Sequence, residues 1–198
     1  MSRGGLAWAG VAILLGVCAL AGWAVPREAI DWQPALALRE PWRALTAVGV
    51  HYSATHLAGN LAGVALAGLF GVVARVPVRL AWAWLAAWPA TQLGLLIRPD
   101  LAHYGGLSGL LHAGVAVIVT FLLVTGTRAQ RWVAGAVLLG LCAKLLGESP
   151  WGTALRHPAG WDIAIAPLAH TTGAIAGATC TLIALLLPTR THLPAPHA

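Results

Sequence analysis

Two short runs in this chain carry residue types that could do acyl-transfer chemistry. One is Gly105-Gly106-Leu107-Ser108-Gly109; the other is Ala169-His170-Thr171-Thr172-Gly173. A serine hydroxyl is a weak nucleophile until a neighbouring base takes its proton, which an imidazole can do. The glycines before Ser108 permit a tight turn into a helix N-terminus, where backbone N–H groups are unpaired. His56 and Asn60 are four apart, so they share one helix face about 6 Å from each other. With the Ser108 N–H, their donors would suit an oxyanion. His170 opens a helix that Pro167 begins. Gly173 and Gly177 follow at a spacing that lets another helix approach closely. That packing would bring His170 to Ser108. No Asp or Glu lies in an apolar span near His170, so a dyad without a carboxylate orienter is expected.

Each signal has a plainer reading. A G-x-S-G run occurs in packed helices, His-x-x-x-Asn can be a structural hydrogen-bond pair, and a lone His can be an interhelical contact. Their weight lies in their order along alternate apolar segments, which also hold His51 and His112. Polar side chains in hydrocarbon are costly and call for a partner or a purpose.

The elements that must position them are membrane spans. Of the 198 residues, 59% are apolar and 9% charged, against about 25% charged in a soluble domain. A spanning helix needs about 20 mostly apolar residues. Six segments qualify: 6–25, 46–73, 80–97, 106–124, 132–146 and 163–187. Residues 1–188 thus read as one all-α membrane domain, and the tail 189–198 as disordered. The first segment is too long, and lacks the cleavage site, for a signal peptide. Arg3, the Arg75/Arg79 loop, the Arg128/Arg131 loop and Arg190 alternate with the connections that hold all the acids. By the positive-inside rule both termini are cytoplasmic. Ser108, His170, His51 and His56 then lie toward the outer face. The first outward loop, 26–43, carries Trp32, Leu36, Leu38 and Trp42 among charges, a pattern of short interfacial helices. Cys18, Cys142 and Cys180 each sit in an apolar run and give neither a disulfide framework nor a metal site.

Over roughly residues 40–180 the chain resembles the rhomboid family of intramembrane serine proteases. The resemblance rests on Trp42-Arg43, on His51-x-x-x-x-His56-x-x-x-Asn60, on Gly106-Leu107-Ser108-Gly109, and on His170 with Gly173 and Gly177. It implies a six-transmembrane-helix rhomboid-like bundle and peptide-bond hydrolysis, with Ser108 as nucleophile and His170 as base. It also implies an oxyanion hole of His56, Asn60 and the Ser108 N–H, with no metal or other cofactor. Where many rhomboids have a Tyr four residues after the serine, this chain has His112. The run His103 to His112 is similar to the rhombosortase branch. That likeness implies substrates anchored by a transmembrane or C-terminal Gly-Gly-type sorting tail, in the inner membrane of a bacterial-type cell. The bilayer is a partner and nucleic acid is not.

Two other classes remain open. The internal histidines would suit a metal or haem protein, though the His-Glu-x-x-His of zinc proteases is absent. The small-residue spacings would suit a transporter or a non-catalytic scaffold.

Overall fold

The computed structural model describes residues 1–188; the tail expected to be disordered, 189–198, lies outside the described residues. Eight α-helices follow in order: α1 (Arg3–Gly22), α2 (Arg27–Ile30), α3 (Arg43–Thr46), α4 (Ala54–Val73), α5 (Val78–Leu93), α6 (Ser108–Thr125), α7 (Arg128–Gly147) and α8 (Pro167–Leu186). A 3-10 turn, Gly94–Ile97, prolongs α5. Six of these, α1 and α4 to α8, are long and apolar enough to cross a membrane. The first loop does form short helices, α2 and α3 with a 3-10 turn at Pro34–Leu36 between them. Its Trp32, read as interfacial, is instead fully buried.

Local chemistry sets where the spans begin. The Ser53 hydroxyl accepts from His56 N–H at 3.0 Å and caps α4, so the second span starts eight residues later than its apolar run suggests. Thr127 and Gln130 form a reciprocal capping box at the start of α7. The sixth span starts at Pro167 rather than Ile163. Ile165 and Arg156 exchange backbone hydrogen bonds of 2.8 and 2.9 Å, and the residue before a proline is kept out of helical geometry.

Helix α6 is the centre of the bundle, with Leu110, Ala113, Val117 and Ile118 fully buried or nearly so. Tryptophans tie α1, α4 and α5 together and α5 to α6. Trp8 of α1 stacks on Trp84 of α5 with ring centroids 4.3 Å apart. Trp8 Nε1 donates to Ala67 O of α4, and Trp84 Nε1 donates to Leu110 O of α6. The indole N–H finds a backbone carbonyl in each of these two cases, as a buried tryptophan usually does, whereas that of the buried Trp32 has no partner among the described residues. Large apolar side chains such as Leu66, Leu139 and Leu186 point outward, which suits a lipid surround. α7 has one buried residue, Ala134, and is the least embedded of the six.

α6 and α8 come closest. A Cβ on Gly173 would collide with the Gly109 carbonyl, and one on Gly177 with the Ala113 carbonyl. Without hydrophobic drive between helices in lipid, such backbone contact is a main source of association. Gly173→Ala should therefore force the helices apart, at a cost of about 1–3 kcal/mol. Gly140→Ala, on a face of α7 with nothing within 4 Å of the new carbon, should cost nothing. Thermal melting of the two variants in detergent micelles checks this; equal melting would contradict the packing.

Candidate active site

The site lies where α4, α6 and α8 begin and α7 ends. Ser108 is the first residue of α6, so its N–H belongs to the turn with no internal acceptor. The approach to it is pinned. Gly106 N–H donates to Ala47 O at 2.9 Å, and Tyr104 and Trp32 exchange backbone hydrogen bonds of 2.8 and 2.9 Å. Asp31, nearly fully buried, holds both sides of this join. It accepts from Arg43 Nη1 at 3.0 Å and pairs with His103 Nδ1 at 2.6 Å. Arg43 also donates to the Glu28 carbonyl and to Glu40. The Trp42-Arg43 element thus acts on the site indirectly, by fixing the loop that delivers Ser108.

Ser108 Oγ lies 2.9 Å from His170 Nε2. The other ring nitrogen, Nδ1, lies 2.6 Å from Glu148 Oε2. A carboxylate only accepts, so Nδ1 carries the proton and Nε2 presents its lone pair to the serine hydroxyl. The expectation of a base without a carboxylate partner is therefore corrected. Glu148 sits just past the fifth span in sequence, but the last turn of α7 leans over the first turn of α8. Ser149 terminates α7 with φ of 53°, and Arg156 Nη1 donates to Gly147 O at 2.9 Å. Lys144, one turn back, donates to Glu148 Oε1 at 2.5 Å. Burial alone would raise the Glu148 carboxyl. The hydrogen bond from His170 and the Lys144 ammonium outweigh it and hold the carboxyl down to about 2. The sequence did hold a signal for this pair: Lys144 and Glu148 stand at i,i+4 on the end of a span.

His112 stacks on His170 at 4.3 Å between centroids, 16° from parallel, and its Nδ1 donates to Ser108 O at 2.6 Å. It packs against His170 and braces Ser108 without bonding to the His170 ring. His56 Nδ1 accepts from Tyr52 N–H at 3.3 Å, which leaves the proton on Nε2. That nitrogen and Asn60 Nδ2 converge above Gly106, whose φ is +125°. A Cβ there would sit 2.8 Å from the one and 3.6 Å from the other. Among the described residues, the buried Asn60 Nδ2 has no hydrogen-bond partner, so a donor stands ready for an oxyanion. His51 plays a different part. Its Nδ1 donates to Gly49 O at 3.2 Å and its ring lies 4.8 Å from that of His56. Burial, only partly offset by that carbonyl, keeps it below the usual imidazole range. Gly109 and Gly173 serve by absence of side chain, since each lies against the other helix's backbone.

Ser108, His56, Asn60 and His170 line a cavity of about 970 Å³ between α4, α6 and α7, walled largely by apolar residues such as Leu66, Phe70, Val137 and Leu141. A second space of about 310 Å³ reaches Ser108 from under residues 162–166. Among the described residues, no three His, Cys, Asp or Glu side chains are grouped to hold a metal ion. Set against family models, curated proteins and solved structures, the chain matches none of them.

Gly106→Ala tests the arrangement. It strains the backbone by about 1–3 kcal/mol and drives a methyl group onto His56 Nε2. We expect a folded protein, by far-ultraviolet circular dichroism, that has lost reactivity at Ser108. Full reactivity would contradict the geometry.

Proposed function

We propose that the chain is an intramembrane serine endopeptidase of the rhomboid type. The observation that carries this reading is the 2.9 Å contact between Ser108 Oγ and His170 Nε2, made beside convergent unpaired donors in a bundle of membrane-length helices. His170 takes the hydroxyl proton as Ser108 Oγ attacks a peptide carbonyl. The oxyanion enters the space bounded by Asn60 Nδ2, His56 Nε2–H and the Ser108 N–H, where fixed donors stabilise the developing charge. His170 then returns the proton to the leaving amine. A water molecule, deprotonated by the same imidazole, then attacks the acyl carbon; the bond to Ser108 Oγ breaks, Oγ takes the proton back from His170, and the acid product leaves.

The setting supports a substrate class. A mostly apolar cavity that meets the catalytic pair suits a segment that leaves the membrane plane unwound, such as the end of a transmembrane anchor. The likeness to rhombosortases favours a C-terminal sorting tail on an exported protein. Orientation is argued from charge. Gly4 of α1 packs on Val76 and Pro77, so Arg3 and the Arg75/Arg79 loop share one end of the bundle, and the site is at the other. By the positive-inside rule the site then faces away from the cytoplasm, and the likeness to rhombosortases favours the inner membrane of a bacterial-type cell.

Ser108→Ala and His170→Ala should each abolish removal of a Gly-Gly-type tail from a co-expressed substrate, read by mass spectrometry, with expression unchanged. Asn60→Ala should retain residual cleavage, since loss of one oxyanion donor costs about 10²–10³ in rate. Undiminished cleavage by both of the first two variants would overturn the reading.

A further inference from the structure

We propose that Glu148 is the positioning residue of His170, accepting its Nδ1–H while Lys144 holds the second carboxylate oxygen, so that the site works as a Ser–His–Glu triad. This rests on the protease reading and goes beyond a two-residue site. The distances are 2.6 Å from Glu148 Oε2 to His170 Nδ1 and 2.5 Å from Glu148 Oε1 to Lys144 Nζ.

Helix energetics do not account for a glutamate at this position. A carboxylate at a helix C-terminus opposes the macrodipole, and Lys before Glu is the weaker order of an i,i+4 pair. The residue is best explained by what it touches. The groups facing His170 are Ser108 and His112 from α6, Lys144 from α7, and Glu148 at its end. When the Ser108 proton moves to Nε2, positive charge spreads over the ring to Nδ1. Lys144 Nζ is 3.4 Å from that atom and by itself would oppose the charge. Glu148 neutralises it and also fixes the ring tautomer and tilt, the part played by the acid in soluble triads. No proton passes to Glu148.

The test uses purified full-length chain in micelles, with a tail-bearing membrane peptide as substrate and Ser108→Ala as the control. Glu148→Gln should lower kcat by about 10²–10⁴ with KM little changed, the range a positioned general base supplies. Glu148→Asp should recover part of the loss. The side chain is 16% exposed beside the large cavity, so formate should partly restore Glu148→Ala and do nothing for Ser108→Ala. Wild-type kcat in Glu148→Gln, with Ser108→Ala inert, overturns this inference and leaves the protease reading standing. A loss that neither Glu148→Asp nor formate reverses overturns it as well. Cleavage by Ser108→Ala at the wild-type rate overturns the reading beneath both.

Discussion

The carbonyl oxygens of Gly109 and Ala113 occupy the places where Cβ atoms of residues 173 and 177 would be, and the arrangement of the site depends on that contact. α6 and α8 each bring one member of the Ser108–His170 pair on their first turn. Removing two side chains lets the backbones touch, and a 2.9 Å hydrogen bond follows. The glycines thus help set the geometry of the Ser108–His170 pair without bearing any reactive group.

Around that contact, the polar groups of the site are held by a neighbour or face the cavity, whereas Gln92 and His51 Nε2 are buried with no partner among the described residues. His170 is bonded on both nitrogens. His56 is fixed by the Tyr52 N–H and His112 by the Ser108 carbonyl. Asn60 Nδ2 keeps a free donor, and it points where an oxyanion would form. The loop before Ser108 is locked through Asp31, Arg43 and the Trp32–Tyr104 bridge. α7, by contrast, has little of its surface buried, yet it carries Lys144 and leads into Glu148. The helix least bound to the bundle thus ends against His170.

Much of this is legible in the residues. Apolar runs of about 20 residues mark all six long helices, because a hydrocarbon surround forces backbone satisfaction within the helix. The i,i+4 spacings of His56 with Asn60 and of Gly173 with Gly177 place each pair on one face. Boundaries were harder to read. Residues 46–53 are apolar enough to continue α4, yet the Ser53 cap sets its start. The role of Glu148 is not legible for a different reason. Its partner is distant in sequence, and no periodicity records that the end of α7 crosses the start of α8. Trp32 likewise reads as an interfacial side chain until its backbone pairs with Tyr104.

The central claim is that Ser108 is made nucleophilic by His170 within a membrane-embedded bundle. Incubating the purified chain with a fluorophosphonate, followed by peptide mass spectrometry, measures this most directly. The account predicts a single adduct on Ser108 that disappears in His170→Ala. No adduct on the wild-type protein, or equal labelling of Ser108 without His170, would contradict it.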